Sequence, residues 1–263
     1  MKKLNLRAAA KLLVDQRSGL NPIKKLPGAM QPRNEVEGYA LQRGVGELLS
    51  FYLGPLAGYK IGCTTPVMQK FLEIPNPCAG EVFRSTVVKN VAVVPRTGFV
   101  KVGIECEIAV VLTCDLSDPD LVGDAEWLSR AVGGVMASME IVDDRYEDYR
   151  MIGVPTLIAD NFFDCGCVLG APLQKWSNLD LRSLRGTTKI NGRLVGEGQG
   201  DLIMGDPLNA LTWLAKSLLS RGQYIRKGQF VTLGSVVETK WLNAGDVAEV
   251  EIERLGSVGL RVV

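Results

Sequence analysis

Apolar residues recur at helical spacing in two early stretches, residues 4–16 and 34–53; in the second, Val36, Tyr39, Ala40, Leu48 and Leu49 carry the pattern and Asn34 is a candidate N-cap. A connector containing Pro and Gly, 19–33, separates them. After Gly54-Pro55 the texture changes to short apolar runs divided by Gly and Pro, which predicts strands over 58–63, 104–112, 135–142, 164–169, 184–190, 230–233, 247–252 and 258–263. One helix interrupts them: Asp206 suits the N-cap, Pro207 the first turn, and Leu208, Leu211, Leu214 or Ala215, and Leu218 follow at helical spacing. Asn191-Gly192 is a type I′ hairpin signal. The expected organisation is α+β, with a helical N-terminal region at 1–54 and a β-rich domain at 55–263.

In the predicted strand 104–112 a period of two places Ile104, Cys106, Ile108, Val110 and Leu112 on one face. Glu105 and Glu107 share the other, between the small residues Gly103 and Ala109. Such neighbours lie about 6.5 to 7 Å apart, close enough for two flexible carboxylates to converge on one cation. An isolated E-x-E more often marks a strand's wet face. A third acid alters the balance, because Glu140 stands among the apolar residues Met139, Ile141 and Val142, where a charge needs a partner. That partner is either a metal ion or a basic residue such as Arg145.

Composition narrows the chemistry. The 263 residues include no histidine, which excludes Ser-His-Asp and Cys-His machinery, H-E-x-x-H zinc sites and facial-triad oxygenases. Six cysteines in so long a chain read as reduced, and Cys165-x-Cys167 has neither the spacing nor the second pair of a zinc site. Three carboxylates without imidazole or thiolate form an all-oxygen donor set, which selects Mg²⁺ or Mn²⁺. With 30 basic and 29 acidic residues and no block of like charge, no nucleic-acid partner is expected. No apolar run has the length of a membrane span or a signal peptide, so a cytoplasmic protein without a membrane partner is expected.

Gly58-Tyr59-Lys60-Ile61-Gly62-Cys63-Thr64-Thr65, Ile104-Glu105-Cys106-Glu107-Ile108 and Met139-Glu140-Ile141-Val142-Asp143-Asp144-Arg145 follow one another in order. Asp160-Asn161, Gly205-Asp206-Pro207, Thr232-Leu233-Gly234-Ser235 and Leu255-Gly256-Ser257-Val258 complete the series. This ordered set resembles the 2-oxopent-4-enoate hydratase and 4-oxalocrotonate decarboxylase family of the fumarylacetoacetase superfamily. The resemblance implies a mixed β-roll or barrel-like core holding Mg²⁺ or Mn²⁺ on Glu105, Glu107 and Glu140. It implies Lys60 and Asp160 as catalytic positions and Asn161, Gly234 and Ser235 as substrate-binding positions, with Gly234-Ser235 offering backbone N–H groups to a carboxylate. From the sequence, Lys60 is either a charge facing a pocket or a snorkelling surface lysine, and Asp160, Asn161 and Ser235 are equally turn or capping residues.

The implied activity is that of a lyase adding water to a 2-hydroxydienoate or 2-oxo-enoate in the catabolism of aromatic compounds. Decarboxylation of a 4-oxalocrotonate-like 2-oxo diacid is the alternative, and a non-catalytic small-acid-binding protein of the same fold is the alternative from another class. A homo-oligomer is expected as well. The chain departs from the family pattern at Cys78 and at Phe162-Phe163, which predicts a more apolar pocket.

Overall fold

The structure, a computed structural model, describes residues 4–263. The first helix, α1 (Leu6–Ser18), is capped by the Asn5 side chain, which accepts from the Ala8 amide, and buries Ala9, Ala10, Leu13 and Val14. Helix α2 (Glu35–Leu53) starts where Asn34 accepts from the Glu37 amide and stops at Gly54, whose φ of 76° ends the helical path. Then follow β1 (Leu56–Gly62), α3 (Pro66–Leu72), β2 (Cys78–Phe83), β3 (Val87–Lys89), β4 (Val91–Val94), β5 (Val102–Leu112), α4 (Ala125–Ala131) and β6 (Val132–Asp143). The chain continues through α5 (Tyr149–Ile152), α6 (Val154–Ala159), β7 (Asp164–Leu169), β8 (Arg185–Ile190), β9 (Arg193–Gln199), α7 (Pro207–Leu219), β10 (Phe230–Trp241), β11 (Val247–Ile252) and β12 (Gly256–Val262).

The strands form two sheets, ordered β2-β1-β10-β5-β6-β7-β3 and β4-β12-β11-β8-β9. Among the described residues neither sheet pairs its own edges, so the barrel-like closure expected from the sequence is corrected to two open sheets in a mixed α+β fold. The division falls at Asn90, whose left-handed φ of 61° turns the chain out of β3 in the first sheet and into β4 in the second. One face of β5, with Ile104, Cys106, Ile108 and Val110 fully buried, packs toward the second sheet, where the Cys106 thiol lies 3.8 Å from the Thr187 carbonyl. That packing turns the opposite face, with its acids, away from the second sheet.

The helical N-terminal region docks on the strands through polar as well as apolar contacts. Gln42 of α2 is buried and donates to the Ala79 and Ile158 carbonyls, each at 2.8 Å, while the Tyr39 hydroxyl accepts from the Ala79 amide at 3.1 Å. No described helix is long and apolar enough to cross a membrane.

Candidate active site

Strand register brings the acids together. Glu105 of β5 stands directly opposite Glu140 of β6, and Glu107 opposite Ser138, so all four side chains share one face. The three glutamates offer carboxylate oxygens that lie within 4.8 Å of one another. Glu107 and Glu140 are buried and Glu105 is half-buried.

The acids are held from three sides. Strand β10 carries register shifts on either side of Ser235, and Gly234 within this irregular stretch has φ 115°. A side chain at 234 would stand 2.4 Å from the Thr64 hydroxyl; glycine alone allows that approach while its N–H donates to Glu107 Oε2 at 3.1 Å. Farther along β10 the Thr239 hydroxyl donates to Glu105 Oε1. From β1, Lys60 places Nζ 3.0 Å from Glu140 Oε1, with both side chains withdrawn from solvent.

Charge is crowded here. Burial, and then the Glu105 charge, push the Glu107 carboxyl up to about 7, against the pull of Lys60, the Gly234 N–H and Thr232. Burial likewise raises Glu140 despite Lys60 beside it. For Lys60 burial acts downward, but Glu140, then Glu105 and Asp164, outweigh it and hold the ammonium above its ordinary value. Glu107 Oε1 and Glu140 Oε2 are buried with no hydrogen-bond partner. Unpartnered carboxylate oxygens converging at this spacing fit a hard divalent cation, which would satisfy the lone pairs and offset the like charges.

The other expected residues are distributed around this centre. Asn161 is fully buried in a left-handed conformation, φ 59°; its Oδ1 accepts from the Glu81 amide at 3.2 Å and its Nδ2 has no partner. Asp160 does not join the carboxylate trio. Its Oδ2 accepts from Arg145 Nε at 2.7 Å and from the Tyr146 hydroxyl at 2.9 Å, and Arg17 Nη1 lies 3.7 Å from Oδ1. The basic partner of Glu140 is thus Lys60, while Arg145 serves Asp160. Gly234 directs its N–H at a protein carboxylate, and the Ser235 hydroxyl, with one proton to donate, lies 3.2 Å from the Cys106 carbonyl and within hydrogen-bond distance of the Val237 carbonyl.

Several residues went unnoticed in the sequence. Thr239 and Trp241 lie past 230–233, where the apolar run ends, yet β10 continues through bulges. Asp164 read as the first residue of a strand; it is 2% exposed, its Oδ1 is unpartnered, and burial raises it despite Arg17, Lys60 and Arg145. Its polar character at the head of an apolar run was the available signal.

A 2-keto-4-pentenoate hydratase of Paraburkholderia phymatum is 30% identical over 96% of this chain and 95% of its own. A 4-oxalocrotonate decarboxylase of Pseudomonas putida is 30% identical over 79% of this chain and 78% of its own. Among solved structures, 4-oxalocrotonate decarboxylase from Pseudomonas putida G7, complexed with magnesium and adipate, superposes with a TM-score of 0.90 at 25% identity, covering 98% of this chain and 97% of that one. The family model described as Fumarylacetoacetate (FAA) hydrolase C-terminal matches residues 74–263, which include all three glutamates, and the chain therefore belongs to the fumarylacetoacetate hydrolase family.

Proposed function

We propose that the protein is a Mg²⁺- or Mn²⁺-dependent lyase of small 2-oxo or 2-hydroxydienoic acids, and that it hydrates them. The single observation that carries this reading is the trio Glu105, Glu107 and Glu140, within 4.8 Å of one another beside the buried Lys60. The three glutamates hold the cation, which when bound supplies Lewis-acid stabilisation of an enolate. Lys60 offsets the carboxylate charge of the substrate and moves protons at the substrate carbons. Asn161 Nδ2, buried and unpartnered, donates to the substrate, and the Gly234 N–H fixes Glu107. Asp160 acts at one remove, since its carboxylate holds Arg145 and Tyr146 and so sets the turn that begins with Asn161. Ser235 acts through the β10 backbone that presents Gly234.

In the hydration sequence a 2-hydroxy-2,4-dienoate gives up its 2-hydroxyl proton, takes a proton at C5 and becomes the isomeric 2-oxo-3-enoate. Water then adds its oxygen to C4 and a proton goes to C3, giving a 4-hydroxy-2-oxo acid. Decarboxylation of a 2-oxo diacid passes through the same kind of dienolate, and similarity to the Pseudomonas putida decarboxylases supports it as the second reading. An assay with each substrate decides between them: hydration abolishes the dienoate absorbance without releasing carbon dioxide. Absence of any Mg²⁺-dependent turnover of 2-oxo acids would leave a small-acid-binding protein.

The same reading includes a cytoplasmic homo-oligomer with no nucleic-acid or membrane partner, its sheets packed as a roll. Six free cysteines support a reducing compartment. Phe51 and Tyr52, 84% and 77% exposed at the end of α2, support a further protein contact. Light scattering tests the assembly, and a 28.5 kDa particle at micromolar concentration would refute it.

A further inference from the structure

We propose that Phe162 determines which acids the site accepts, restricting them to those whose end remote from the 2-oxo group is uncharged and apolar. The inference rests on the lyase reading and concerns specificity within it. Asn161, Phe162 and Phe163 have φ of 59°, 49° and 68°, three successive left-handed residues of which none is glycine. L-residues adopt this backbone at a steric cost, and such strain persists where the surroundings hold it in place.

The turn carries the Phe162 ring to the reacting centre. The residue is 5% exposed, its ring centroid lies 5.3 Å from Lys60 Nζ, and the ring covers Gly62 so closely that a side chain there would stand 2.9 Å from it. Phe163 follows at 5.5 Å between ring centroids, then Tyr149 at 5.5 Å, then the half-exposed Phe71 of α3 at 6.3 Å. An aromatic wall thus runs outward from the ammonium that faces the substrate.

Among the described residues, the cations beside the buried end of this wall are already engaged, and Lys70 stands only at its exposed end, next to Phe71. Lys60 is shared between Glu140 and, in the lyase reading, the carboxylate next to the 2-oxo group, which leaves it no charge for a second one, and Asp164 beside it is itself an acid. Arg145 donates to Asp160 and to the Asp160 and Asp164 carbonyls while its buried Nη1, without a hydrogen-bond partner, lies 3.9 Å from the Asp143 carboxylate, and Arg17 donates to the same two carbonyls. Lys101, immediately before β5, stands four residues from Glu105, roughly 13 Å away, and is held by Asp144 at 3.7 Å over the Trp241 ring at 4.1 Å. A distal carboxylate placed against Phe162 would lose its water without compensation, whereas a vinyl or alkyl end gains contact.

The test uses the full chain loaded with Mg²⁺ and compares kcat/KM for 2-hydroxypenta-2,4-dienoate with that for the diacid 2-hydroxyhexa-2,4-dienedioate. The monoacid should be preferred by about 100-fold or more, and Phe162→Ser or Phe162→Asn should shrink that ratio about tenfold. Equal use of the diacid by the wild type overturns the proposal, as does an unchanged ratio in the folded variants. Where neither variant folds, Phe162→Tyr, which keeps the ring and adds a hydroxyl, takes their place in the comparison. Mg²⁺-dependent exchange of the C3 protons of 2-oxopentanoate into D₂O, followed by NMR, reads enolisation independently of the distal end. Exchange without selectivity overturns the role of Phe162 only; no exchange and no turnover overturns the lyase reading beneath it.

Discussion

Lys60 Nζ and Glu140 Oε1 meet at 3.0 Å across two intervening strands, with 3% and 1% of their side chains exposed. The pair joins β1 to β6 over β10 and β5, so it reports on the register of these four strands. Lys60 is therefore not a snorkelling surface residue, and its replacement has a structural consequence as well as a catalytic one.

Removing one member of a buried ion pair typically costs about 3–5 kcal/mol, because the other is left uncompensated. Lys60→Met should lower the Tm of the metal-free protein by about 6 °C or more, and excess Mg²⁺ should restore part of the loss. Its kcat/KM should fall by about 100-fold or more. The double variant Lys60→Met with Glu140→Gln should be more stable than Lys60→Met alone; scanning calorimetry on all three proteins gives the comparison, and a Lys60→Met protein as stable as the wild type contradicts the burial argument.

Glu140→Gln and Glu107→Gln each remove a charge from the trio. A cation at 100 times its Kd stabilises the folded wild type by about 2.7 kcal/mol. Both variants should lose that Mg²⁺-induced rise in Tm while keeping the wild-type circular dichroism. A variant that retains the full rise would exclude its residue from the cation site.

Metal binding should be coupled to protons. With its folded-state value raised from 4.5 to about 7, Glu107 holds a proton in the metal-free protein where the unfolded chain has lost it. Between those values the folded state binds more protons than the unfolded, so this group's contribution to stability declines as pH rises through the window and stays at its low level above it. A cation requires the ionised form. Mg²⁺ affinity should accordingly rise between pH 6 and 8, with proton release at pH 6 that fades toward pH 8. Titration calorimetry in buffers of different ionisation enthalpy measures the release directly, and no release at pH 6 would contradict a protonated Glu107.

Arg17 links the N-terminal region to the turn beside the site, donating to the Asp164 carbonyl at 2.8 Å and to the Asp160 carbonyl at 3.5 Å. Arg17→Met should destabilise the protein by about 1–3 kcal/mol and raise hydrogen exchange across 160–164, with Mg²⁺ affinity nearly unchanged. Deleting 1–54 removes Leu41, Val45 and Gln42 from the core, and that truncated chain should fail to fold. A soluble, Mg²⁺-binding fragment 55–263 would show the two regions to be independent.

Much of this molecule was legible locally. Asn34 and Asp206 cap the helices they were expected to cap, and Asn191 and Gly192 take φ of 51° and 76°, as a type I′ turn requires. The alternation along 104–112 set Glu105 and Glu107 apart from the core face, and the absence of histidine had already pointed to oxygen ligands. These features depend on residues a few positions apart, where backbone geometry and side-chain period leave few alternatives.

Strand partners and register were not legible. Period two states which face a residue occupies but not what lies across from it, so the pairing of Glu105 with Glu140 and the contact of Lys60 with Glu140 existed only once β1, β10, β5 and β6 were aligned. The bulges of β10, which bring the Gly234 N–H and the Thr239 hydroxyl to the acids, interrupt the very pattern that identifies a strand. β9, exposed along much of its length and carrying glycines at 196 and 198, became a strand by pairing with β8. Asp160 changed meaning for the same reason: its sequence neighbours are compatible with a pocket, but the fold sets Arg145 and Tyr146 against it. Local chemistry determined the donor types and the elements that carry them; long-range packing decided which charges face one another, because the energy of a buried charge depends on what the rest of the chain brings to it.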